Sequence, residues 1–116
     1  MLRRKEIDTW EAKIYVGNRK GSDADFIIYE SDVKDAIRKF QTVLQFPIRI
    51  TKTDYLLSER DECGWEITSI RYPLDPKTKN EIKEFLERLT LFLMKELGQK
   101  RILMVLPEKT IIFMDD

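Results

Sequence analysis

The stretch from Thr78 to Gly98 constrains this chain most, because the residues mark both of its ends. Thr78-Lys79-Asn80-Glu81 is a capping box, in which the Thr hydroxyl and the Glu carboxylate satisfy amides that a first helical turn leaves without partners. Gly98 supplies the residue that most readily turns left-handed to end a helix. Between them Ile82, Phe85, Leu86, Leu89, Leu93 and Leu97 recur at the helical period, and Leu91, Phe92 and Met94 widen the stripe. The spacing predicts a helix over about Lys79 to Leu97. Its apolar surface is wider than one small sheet face needs. A partner helix or a second protomer is therefore expected to cover the rest, and a homo-oligomer, at least a dimer, follows.

The sheet itself is legible in shorter signals. From Thr9 to Gly17, Trp10, Ala12, Ile14 and Val16 alternate with Glu11, Lys13 and Tyr15, the period of a half-buried strand. Gly17 to Asp23 reads as a loop, and Phe26 to Tyr29 as an edge strand or a segment packed under the first helix. Ser31 is placed to cap that helix, which runs to about Leu44 with Val33, Ala36, Ile37, Phe40, Val43 and Leu44 on one stripe and stops before Pro47. Ile48, Ile50 and Tyr55 to Leu57 mark a second strand and Gly64 to Tyr72 a third, with Ser58 to Glu62 as the hairpin loop between them. Trp65 and Ile67 share one face of the third strand and Ile70 and Tyr72 the other, so a bulge is allowed for. Ile102 to Leu106 and Thr110 to Met114 are nearly continuous apolar runs around Pro107-Glu108-Lys109, read as a hairpin buried on both faces. The fold class is α+β: an antiparallel sheet of five to six strands with two amphipathic helices on one face, ferredoxin-like or a variant.

At 116 residues the chain suits one domain spanning residues 1–116. Lys and Arg number 21, as do Asp and Glu, so no global field draws polyanions and nucleic acid is not an expected partner. A lone Cys63, no signal peptide and no long apolar run point to the cytosol and away from membranes. Cys63 follows Asp61 and Glu62, which disfavour a reactive thiolate. Histidine is absent, which removes the commonest general acid and base. The expectation is a binding protein: no enzyme, no catalytic residue, no cofactor and no metal.

Candidate binding residues are few. Gly17-Asn18-Arg19-Lys20-Gly21 lacks the spacing of a phosphate loop and serves better as a strand exit, although Asn18, Arg19 and Lys20 offer donors to an anion. Asp23-Ala24-Asp25 and Asp115-Asp116 read as solvated acidic ends. Arg49, Lys52, Arg71 and Arg101 fall on or beside strands, where a guanidinium is held firmly enough to grip a phosphate or stack on a base. Surface charge that protects an edge strand accounts for the same residues. Trp65 and Tyr72 suit the core as well as a stacking platform. The expected anion-binding pocket is Arg101, with Arg71 and Tyr72, and Asn18 and Arg19 as further donors.

Trp10-Glu11-Ala12-Lys13-Ile14-Tyr15-Val16-Gly17, Arg71-Tyr72-Pro73 and Leu97-Gly98-Gln99-Lys100-Arg101 before a Val-x-x-Pro hairpin resemble a group of small phage-encoded proteins, the Thoeris anti-defence sponges of the first described type. The resemblance implies a non-enzymatic oligomer in the host cytosol that sequesters a small nucleotide-derived ligand, a cyclic ADP-ribose signal and in some relatives cyclic oligonucleotides, without degrading it. It also implies a base sandwiched between an aromatic residue after the Tyr-Pro motif and an Arg opening the next strand. Arg101 matches the Arg; Leu74 or Asp75 stands where the ring belongs, with Tyr72 the nearest substitute. The alternative reading is a small inhibitor that blocks a host protein through a flat interface.

Overall fold

The computed structural model describes residues 2–19, 27–42, 46–56, 61–72 and 77–115. Its elements run β1 (Glu11–Gly17), α1 (Glu30–Gln41), β2 (Ile48–Leu56), β3 (Asp61–Ile70), α2 (Lys79–Leu97), β4 (Arg101–Val105) and β5 (Thr110–Met114). The strands form one sheet in the order β2-β3-β1-β4-β5, and every neighbouring pair is antiparallel. β3 lies between β1 and β2, and β1 between β3 and β4. Two split βαβ units therefore interlock, which is the ferredoxin-like arrangement with β5 added beside β4.

α2 obeys the signals at both of its ends. The Glu81 amide donates to Thr78 Oγ1 at 3.1 Å, the Thr78 amide donates to Glu81 Oε1 at 3.0 Å, and Gly98 turns to φ 64°. Ile82, Phe85, Leu86, Leu89 and Leu93 are buried together with Ala12, Ile14 and Val16 of β1, Ile67 of β3 and Ile102 and Met104 of β4. α1 adds Val33, Ala36 and Ile37 to that core, so both helices cover the same face. Phe40 of α1 meets Phe92 at 5.3 Å and Phe85 at 5.7 Å between ring centroids. The width of the α2 stripe is thus taken up by α1. Only Leu91, 60% exposed, stands clear, so this helix is not a reason to expect a second protomer.

Several local expectations are corrected. α1 begins at Glu30, with Tyr29 rather than Ser31 as its N-cap, and the Tyr29 amide donates to Asp32 Oδ2 at 2.9 Å. A carboxylate in the first turn supplies the cap that Ser31 was expected to give. The described helix ends at Gln41; Val43 and Leu44 lie outside the described residues. β3 starts at Asp61 and pairs without a bulge, because residues 65 and 67 fall opposite residue 70 by simple alternation. Ile28 packs in the core and donates its amide to the Asn18 carbonyl at 2.6 Å, while Ile27 bridges to Arg19. The β4–β5 hairpin is buried on one face only: Ile112 and Met114 are 54% and 55% exposed. No helix among the described residues is long and apolar enough to cross a membrane.

Candidate functional site

The other face of the sheet carries neither helix, and its rows follow from the register. Partners across an antiparallel pair point the same way. Lys13 and Arg49 therefore flank Thr68; Tyr15 and Thr51 flank Glu66; Gly17 and Thr53 flank Gly64; and Tyr55 stands opposite Glu62. On the β4–β5 side the same face shows Leu103 opposite Ile112 and Arg101 opposite Met114.

At the β1–β2 corner the rows close on one another. The Tyr15 ring meets Tyr55 edge-on, with centroids 4.9 Å apart and planes at 82°. Gly64 makes that contact possible: a Cβ there would stand 2.8 Å from Tyr15 Oη and 2.3 Å from the Val16 carbonyl oxygen. The Tyr15 side chain thus lies across Gly64 to reach Tyr55 two strands away. Burial pushes the Tyr15 phenol up to about 12, with the charges of Glu62, Tyr55, Cys63 and Asp54 adding to the shift. At neutral pH it holds its proton, so it is no base.

Glu66 stands beside this pair with a side chain 25% exposed, and Lys13 Nζ lies 3.5 Å from its Oε2. Two aromatic rings next to carboxylates make a corner chemically suited to an organic cation: ring faces attract a cation and shed water, and a carboxylate supplies charge. A cleft of about 460 Å³ between α1 and the end of α2 competes on size alone. Of its polar groups, Lys39 Nζ pairs with Glu96 at 3.2 Å, Asp32 accepts from the Tyr29 amide at 2.9 Å, and Asp35 lies 3.9 Å from Arg38. The helix-free face is the stronger candidate.

The residues singled out from sequence do not form one pocket. Asn18, Arg19 and Arg101 lie at the Gly17 end of β1. The Asn18 amide donates to the Cys63 carbonyl at 3.0 Å, and the Arg19 carbonyl accepts from Gln99 Nε2 at 2.7 Å. Arg71 and Tyr72 follow Ile70 at the opposite end, where the Arg71 amide donates to the Trp10 carbonyl at 2.9 Å. The length of β1, roughly 20 Å at strand rise, separates the two groups. Lys20, Asp23 to Asp25, Leu74, Asp75 and Asp116 lie outside the described residues. The residues missed were Lys13, Tyr15, Tyr55 and Glu66. Their available signal was Glu62-x-Gly64-x-Glu66, two carboxylates astride a glycine on one face of a strand.

No family model and no curated protein sequence matches the chain. Two solved structures do. A phage SAM lyase in its apo state superposes with a TM-score of 0.67 at 20% identity, covering 100% of this chain and 98% of that one. A phage SAM lyase in complex with S-methyl-5′-thioadenosine superposes with a TM-score of 0.63 at 21% identity, covering 99% and 96%. This likeness establishes the fold over the whole chain. It also corrects the expectation of a non-enzymatic anti-defence protein that sequesters a cyclic ADP-ribose signal, since both matches are of an enzyme. The missing histidine was weak ground for excluding catalysis, because Glu, Asp, Lys, Tyr and Cys side chains can also move protons. Neither structure bears on the resemblance to Thoeris sponges.

Proposed function

We propose that this chain is a lyase that cleaves S-adenosylmethionine (SAM) between the sulfonium sulfur and the aminobutyrate chain, releasing S-methyl-5′-thioadenosine. The observation that carries this reading is the Tyr15–Tyr55 corner beside Glu66, a place for an organic cation on the open face of a fold that serves a SAM lyase.

The chemistry suits the residues on that face. In SAM the methionyl carboxylate oxygen can bond to Cγ as the Cγ–S bond breaks, its electron pair leaving on sulfur. The products are a neutral thioether and a five-membered lactone; no water is consumed and no proton moves. A carboxylate and a sulfonium annihilate their charges in this step, so a less polar surrounding than water favours it. The rings of Tyr15 and Tyr55 provide that surrounding for the sulfonium. Glu66 serves better at the α-ammonium, whose charge persists from start to finish, than at a sulfonium whose charge disappears. Elimination of a carbon-bound proton instead requires a base, and Tyr15 is tuned away from that role.

The test is direct. The purified protein incubated with SAM is expected to yield S-methyl-5′-thioadenosine and homoserine lactone in equal amounts, identified by chromatography and mass spectrometry. SAM recovered intact after long incubation with equimolar protein overturns the reading.

A homo-oligomer belongs to the same proposal, now through a different surface. Leu103, Val105, Ile112 and Met114 form an apolar end of the helix-free face, half-buried to exposed, and such a patch is best covered by another copy. Light scattering is expected to give a multiple of 13.9 kDa. A monomer at high concentration removes the oligomer and leaves the lyase reading to its own test.

A further inference from the structure

We infer that Lys13, with Thr68 and Arg49 beside it, is the group that reads the substrate's carboxylate, so that the open face selects an α-amino-acid sulfonium over other adenosyl compounds. The inference rests on the proposed lyase reading and names a second anchor for the same substrate.

Thr68 is only 3% exposed although it points to the face that no helix covers. Its cross-strand neighbours there are Lys13 on one side and Arg49 on the other, so two cationic side chains flank one hydroxyl. Neither cation is tightly held. Lys13 Nζ lies 3.5 Å from Glu66, and Arg49 reaches Glu11 only at 3.9 Å, with 39% and 62% of the two basic side chains exposed. An arriving carboxylate can therefore take donors from this row without breaking a close ion pair.

The order of the rows matches the order of groups in the ligand. Successive open-face positions along a strand lie roughly 6.8 Å apart. Going up β3, the face presents Thr68 between its cations, then Glu66, then Gly64 under the Tyr15 ring. Along the aminobutyrate chain come carboxylate, ammonium and sulfonium, and the outer two are about 5 Å apart through three carbons. Rows 68 and 64 are about 13.6 Å apart at the backbone. Lys13 Nζ nevertheless reaches to 3.5 Å from Glu66, and Tyr15 stands opposite Glu66. A compact ligand, its carboxylate folded toward Cγ as lactone closure requires, thus meets cation, carboxylate and ring in sequence. Run the other way, it would set its carboxylate against Glu62 and Glu66 and its sulfonium against Lys13.

Two inert ligands isolate this contact: S-adenosylhomocysteine and its decarboxylated analogue, which differ only in the carboxylate. Calorimetry at fixed salt is expected to show the wild-type protein preferring the first by about tenfold or more, the scale of a hydrogen bond between charged groups. Lys13→Met is expected to bring the two affinities within about threefold. The decarboxylated ligand is expected to bind the variant as well as or better than the wild type, because Glu66 is released to its ammonium. A preference that survives Lys13→Met in a protein of unchanged circular dichroism, or a wild type that binds both ligands alike, overturns the assignment and leaves the lyase reading standing. A wild type that binds neither ligand and leaves SAM intact overturns both.

Discussion

For the proposed SAM lyase, replacing Glu66 by Gln is expected to lower kcat/KM by roughly ten- to a hundredfold, with most of the change in KM. The size follows from the interaction removed. A hydrogen bond between charged groups contributes about 1.5–3 kcal/mol, and 1.4 kcal/mol is about tenfold. The division between constants follows from the charge that Glu66 meets. The α-ammonium is as positive in the transition state as in the bound substrate, so its partner strengthens both alike and its loss appears in KM. Stability should hardly move. The Lys13–Glu66 pair spans 3.5 Å with both side chains part-exposed, and such pairs contribute at most about 1 kcal/mol. Steady-state kinetics with a thermal melt on the same preparation separates the two effects. Unchanged kinetics would remove Glu66 from the site. A large drop in melting temperature would instead assign it a role in the fold.

The fold was legible in the chain because its signals are local. Thr78, Glu81 and Gly98 bound α2 within a residue, and alternation from Trp10 to Val16 placed β1 and its buried face. The site was not legible, because it depends on strand order. Tyr15 and Tyr55 lie on β1 and β2 and touch only because β3 is inserted between those strands with a glycine at the crossing point. Nothing within a few residues of either tyrosine reports that. The apolar β4–β5 hairpin misled for a related reason. A run with no polar alternation resembles a strand covered on both faces, whereas here one face lies on the helices and the other stays open. Charge singled out exposed Arg101 and half-buried Arg71 as rigid anion donors, but not their separation: they sit at opposite ends of the sheet and do not share one pocket.

Gly64→Ala is expected to cost about 1–3 kcal/mol of stability, as overpacking does, and to dismantle the aromatic corner. The added methyl would stand 2.3 Å from the Val16 carbonyl oxygen and 2.8 and 2.9 Å from two atoms of Tyr15. The ring can swing away; the backbone oxygen cannot, so β1 and β3 must separate locally where Gly17 faces Gly64. Displacing the ring exposes the phenol and removes the burial that holds its pKa up to about 12, which therefore falls back toward the ordinary 10.0. That shift can be read as ultraviolet absorbance of tyrosinate against pH. Stability carries the same signature. A pKa raised on folding favours the protonated form, so the stabilisation it gives is complete below pH 10.0 and is lost as pH rises toward about 12. The wild-type protein should weaken over that window, and Gly64→Ala, although weaker to begin with, should weaken less steeply. Turnover of SAM should fall alongside, since the sulfonium loses its ring. A Gly64→Ala protein in which one tyrosine still titrates near 12 and turnover is intact would show that the ring neither rests on Gly64 nor contacts the substrate.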